Sequence, residues 1–69
     1  MNLSAKFLIK LLENHGYIFK RSKGSHHLFY NAQNNKTLVV PVHGGKDLKI
    51  GTFLTILKQA GIDKSEVKL

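Results

Sequence analysis

Sixty-nine residues confine the chain to one small domain with a two-layer core, since a chain this short buries only about 60% of its unfolded surface; 42% hydrophobic residues in clear periodicity exclude disorder. No apolar run approaches the roughly 18–20 residues of a membrane span, Lys6, Lys10 and Glu13 interrupt the N-terminal apolar stretch that a signal peptide needs, and the absence of Cys excludes a disulfide framework, so a cytoplasmic protein is expected. Eleven Lys and Arg against four acids leave a net charge of +7, knotted at Lys20, Arg21 and Lys23 rather than spread along one long amphipathic helix, which favours nucleic acid over a membrane as partner.

Residues 4–14 read as a helix, because Phe7 and Leu11, like Leu8 and Leu12, pair at i+4, with Leu3 one turn earlier. Ser4 is placed to cap it, and Gly16 to end it in a left-handed conformation. His15, just before Gly16, suits the negative end of the helix dipole. Residues 17–22 (YIFKRS) turn aromatic and β-branched, as a strand requires. Lys23-Gly24 makes a short turn, and residues 25–30 (SHHLFY) return as the second strand. A polar loop over 31–36 leads to a third strand over 37–43 (TLVVPVH), where Pro41 points to an edge or a bulge.

Gly44-Gly45 breaks that strand, and a second helix ends near Ala60 before Gly61. Its expected core stripe is Ile50, Phe53, Leu54, Leu57 and Ala60, and Gly51 blurs its start. Asp63, Lys64, Ser65 and Glu66 resemble a capping box opening a short terminal turn. No repeat, linker or low-complexity segment divides residues 1–69, so a single domain is expected. The class is α+β in the order α-β-β-β-α: a three-stranded antiparallel sheet with two helices on one face, its other face left to water or a ligand.

Three segments, GSHH at 24–27, VPVH at 40–43 and GTFLTILKQAGI at 51–62, recur in this order in a known family. The chain resembles the HicA-type toxins of bacterial toxin–antitoxin pairs over essentially its whole length. The resemblance implies a double-stranded-RNA-binding-like fold, an mRNA-cleaving activity that arrests translation, and neutralisation by a HicB-type antitoxin. It implies contact with DNA only indirectly, through the antitoxin complex. It also singles out the His after Gly-Ser, which here is His26.

The chemistry of the residues is compatible with that reading. Neighbours on a strand face opposite ways, so His26 and His27 form no joint metal pair, and a chain without Cys and with few carboxylates is a poor metal host. No metal or cofactor is expected. RNA cleavage manages without one, because the 2′-hydroxyl is a built-in nucleophile and an imidazole base contributes roughly 10²–10⁴-fold. On the residues alone, one His as a hairpin surface residue and the other packed on the sheet is the favoured reading; the resemblance reverses this for His26, selecting it as the general acid/base, and leaves the plainer reading ahead for His27. Lys20, Arg21, Lys23, Ser25, His27 and His43 are the candidate RNA- or phosphate-binding residues, and Gly24 serves the turn.

Each of these has a plainer alternative. The cations can simply solvate a hairpin, Ser25 can satisfy its turn, His27 can pack, and His43 can merely end its strand beside Gly44-Gly45. Gly44-Gly45-Lys46 offers amides and a cation near a helix start, as a phosphate cradle does. Of Phe29 and Tyr30, one belongs to the core and the other is free to stack on a base or to pack. The rival function is a small RNA-binding domain without chemistry; DNA binding through the second helix is weaker, since that helix is apolar with only Lys49 and Lys58 outward.

Overall fold

The computed structural model describes residues 2–67. Helix α1 (Ala5–Asn14) starts where Ser4, extended at φ −68°, accepts the Phe7 amide on its hydroxyl at 3.1 Å. It stops at Gly16, whose φ of +92° turns the chain so that Gly16 N–H donates to Glu13 and Tyr17 N–H to Leu12. These two bonds satisfy carbonyls the helix cannot, and they deliver Tyr17 into the core, 1% exposed. A side chain at position 16 would also press on the Asn31 amide, with its Cβ 3.3 Å from Nδ2. Helix α2 (Ile50–Ala60) ends through the same pair of bonds at Gly61, and Ile62 is buried in turn.

Strands β1 (Ile18–Lys23), β2 (His26–Asn31) and β3 (Lys36–Pro41) form an antiparallel sheet in the order β1-β2-β3, so the α-β-β-β-α architecture expected from the sequence stands. All three strands shift by one or two residues at their ends, and three of these shifts bear on the site. The hairpin turn is Gly24-Ser25 rather than Lys23-Gly24, because the residue with positive φ (Gly24, +58°) occupies the first of the two loop positions, as a type II′ connection needs. Asn31, placed in a loop by its polarity, closes β2 and is buried. The third strand stops at Pro41 instead of His43, and Pro41 stands at the end of an edge strand, where a missing N–H is tolerated.

Both helices pack over the β3 side of one sheet face. Leu8 and Leu12 of α1, Phe53 and Leu57 of α2, and Phe29 and Val40 of the sheet are each at most 1% exposed. The Phe7 and Phe53 rings, nearly parallel at 6.3 Å, join the two helices. On α2 the buried stripe is Phe53, Ile56, Leu57 and Ala60; Ile50, in the opening turn, is 48% exposed and Leu54 only partly covered, so Ile56 takes the place expected of Ile50. Lys36 donates from Nζ to the Gln59 carbonyl at 3.2 Å, tying the start of β3 to the negative end of α2.

The terminal turn is a 3-10 turn, Lys64–Glu66, capped by Asp63. The Ser65 amide on Asp63 Oδ1 holds that carboxyl below its ordinary range. Glu66 does not complete a capping box; its carboxylate meets His15 Nε2 at 3.0 Å. His15 is thus the C-cap residue of α1, with its ring turned to the Glu66 carboxylate.

Candidate active site on the open face of the sheet

Residues directly opposite one another in an antiparallel pair share a face. Register therefore assigns every side chain. His27, Phe29 and Asn31 lie on the helix side with Val40, Leu38 and Lys36, and His26, Leu28 and Tyr30 lie on the open side with Pro41, Val39 and Thr37. The adjacent histidines separate as strand alternation requires: His26 is exposed, and His27 is half-buried beside Phe19, ring centroids 5.7 Å apart.

Strand β1 departs from alternation, and the departure builds the site. Phe19, Arg21 and Lys23 all carry odd numbers, so a regular strand would put them on one face. Instead Phe19 pairs with Phe29, Arg21 with Leu28, and Lys23 with His26, with the register shifting between Phe19 and Arg21. Lys20 is the extra residue of a β-bulge. The bulge lets Phe19 stay on the helix side, edge-on to Phe29 at 5.7 Å, while Arg21 and Lys23 join His26 on the open side. Lys20 is on the open side too, its Nζ 5.6 Å from the centre of the Tyr30 ring.

The open face thus has three rows. Lys23, His26 and Pro41 form the first, at the hairpin end; Arg21, Leu28 and Val39 the second; Lys20 with Ile18, Tyr30 and Thr37 the third. The cations line the β1 side and the apolar and aromatic groups the centre. Ile18 and Val39 are 56% and 44% exposed, large apolar side chains left without cover.

The other expected site residues fall around this face. Gly24 and Ser25 form the tip, and the Ser25 carbonyl accepts the Val42 amide at 2.7 Å, linking the tip to the segment after β3. His43, exposed, follows that link at the same end of the sheet. It lines a cleft with Pro41, Lys46, Lys49 and Thr52 that runs from the first row toward the start of α2. The expected phosphate cradle at Gly44-Gly45-Lys46 does not hold as drawn: the Lys46 amide is spent on the His43 carbonyl at 2.9 Å, and α2 begins only at Ile50. No three His, Asp or Glu side chains among the described residues converge as metal ligands do.

Two features escaped the sequence. The bulge had one faint signal, since KRSK in β1 shows no period of two. Asn31 gave none, yet its Nδ2 donates to the His15 carbonyl at 3.0 Å and its Oδ1 accepts the Gln33 amide at 2.9 Å, latching the end of α1 to the β2–β3 turn.

The family model described as the HicA toxin of bacterial toxin-antitoxin matches residues 5–62. The chain belongs to the HicA toxin family. The matched span takes in α1, the whole sheet, α2 and all three motif segments, so the HicA assignment covers both the core and the open face. Among curated proteins none matches the chain. As a HicA toxin it is the toxin half of a toxin–antitoxin pair. No helix of the described residues is long and apolar enough to cross a membrane.

Proposed function

We propose that this toxin is an endoribonuclease that cuts mRNA, arrests translation, works without a metal, and uses His26 as its general acid/base. The observation that carries the reading is the convergence of exposed His26 with Lys23, Arg21 and Lys20 on the one sheet face that no helix covers. A uniformly solvated hairpin has no need of a bulge that brings its cations to the side of one histidine.

The chemistry follows from that placement. The His26 imidazole takes the proton of a ribose 2′-hydroxyl as that oxygen attacks the adjacent phosphorus. The phosphorus–5′-oxygen bond breaks, and the departing oxygen takes a proton from solvent or from His43. The products are a 2′,3′-cyclic phosphate and a free 5′-hydroxyl, so the hydroxyl of the substrate supplies the nucleophile and atoms balance without water. Lys23 and Arg21 are the groups nearest in register to stabilise negative charge gathering on the phosphate. A HicB-type antitoxin silences the enzyme by covering the cationic hairpin and His26 together, and complementary charge makes its capture fast and sensitive to salt.

Incubation of purified protein with end-labelled RNA in EDTA tests the reading. Cleavage leaving cyclic phosphate ends is expected. Binding without product over hours would instead make this a non-catalytic RNA-binding domain that uses the same cations for backbone capture.

A further inference from the structure

Catalysis at the first row leaves the second and third rows unexplained. Phosphate capture needs only cations, yet the centre of the open face carries Leu28, Val39 and Tyr30, apolar and aromatic groups that read no phosphate. Tyr30 is also held in place: its hydroxyl donates to Asn35 Oδ1 at 2.8 Å, across a turn where Asn35 adopts the left-handed φ of +57°. The ring is covered outwardly by Lys20, a flexible exposed side chain that leaves the ring once a phosphate competes for its charge. A fixed aromatic plane under a displaceable cation is what a stacking platform consists of.

We infer that Tyr30, with Lys20 and Asn35, is a nucleobase subsite, and that the open face binds an unpaired RNA strand whose phosphates follow Lys23, Arg21 and Lys20 along β1. The inference rests on the RNA-handling reading above and adds to it the strandedness of the substrate and the residue that sets its register. Successive rows lie two residues apart, roughly 7 Å along the strand, a spacing of the order of one nucleotide step in an extended backbone. His26 and Tyr30 are therefore about 13 Å apart along β2, so a base on Tyr30 sits about two nucleotides from the bond beside His26. A duplex fits this face poorly. Its bases are stacked inside and cannot reach Tyr30, and duplex RNA is read by shape across about 16 base pairs, whereas the cation row spans only three rows of one hairpin.

The test is binding, which keeps it separable from cleavage. His26→Ala protein, alone and with Tyr30→Phe or Tyr30→Leu, is titrated by fluorescence anisotropy with an unstructured RNA dodecamer and with the same strand annealed to its complement. The expected result is preference for the single strand, a smaller loss in Tyr30→Phe, which keeps the ring but drops its tether to Asn35, and a roughly tenfold loss in Tyr30→Leu for the single strand alone. Unchanged duplex binding in that variant excludes simple unfolding. In the His26-intact protein, Tyr30→Leu should also disperse the positions of cutting. Equal or tighter duplex binding, or parental affinity in Tyr30→Leu, overturns the inference. So does a face that takes up an acidic protein while no RNA binds. If the single strand binds through Tyr30 but His26-intact protein never cuts, the nuclease reading fails and the base subsite stands.

Discussion

The two faces of β2 are built from alternate residues of one six-residue strand, and they answer to different constraints. His27, Phe29 and Asn31 point toward the helices, and the pair deepest under them is at most 3% exposed. His26, Leu28 and Tyr30 point away, beside three cations. Stability is held on the first face, where burying apolar area is favourable and a buried polar group must find partners. The second face bears no share of the core, so it can carry charge without desolvation cost and can change without unfolding the chain. Alternation thus separates the core face from the proposed functional face within two residues of sequence.

That separation is tested most severely by the pair Phe29→Ala and His26→Ala. Removing the Phe29 ring, 1% exposed, should cost about 3–5 kcal/mol, a large part of what so small a domain holds. Chemical denaturation should find the variant largely unfolded at room temperature. On the other face, His26→Ala should shift stability by less than about 0.5 kcal/mol, keep the circular dichroism of the parent, and retain most RNA affinity through the remaining cations. Its cleavage should fall at least about a hundredfold. Parental cleavage by folded His26→Ala would move the base to His27 or His43, or would show the activity to be a contaminant.

Asn31 sharpens the same contrast, because it is a polar residue on the stability face. Its amide is satisfied by His15 and Gln33, so Asn31→Ala should lower the unfolding free energy, read by chemical denaturation, by about 1–3 kcal/mol and leave the cleavage rate of the folded fraction unchanged. A change in rate without a change in stability would mean that the latch between α1 and the β2–β3 turn also shapes the open face.

Much of this was legible in the sequence. Helical spacing marked α1 and most of α2, Gly16 and Gly61 marked their ends, and GSHH with its flanking cations marked the hairpin. What stayed hidden was what depends on register. Gly24 could stand first or second in a two-residue turn, and one residue of slip exchanges the faces of everything that follows. Asn31 looked like loop because polarity signals exposure, while its burial depends on a carbonyl 16 residues earlier in the chain. Ile50 carried the right spacing for the α2 stripe but sits in its opening turn, where the sheet does not cover it.

The bulge offers the finest test of how the two faces are kept apart. If Lys20 is an extra residue, deleting it removes the bulge and one cation but leaves the pairing intact: Phe19 stays opposite Phe29, Arg21 opposite Leu28 and Lys23 opposite His26. The deletion should then resemble Lys20→Ala, with a folded protein and retained cleavage. In each, the slope of log affinity against log salt for single-stranded RNA should fall by about 0.7, the share of one phosphate contact. If Lys20 were instead an ordinary strand position, its deletion would force either Phe19 out of its place beside Phe29 or Arg21 and Lys23 away from His26. Stability or salt slope would then drop well beyond the alanine variant. Comparing the two variants in the same salt titration decides between these accounts, since a bulge absorbs the loss of one residue and a regular strand does not.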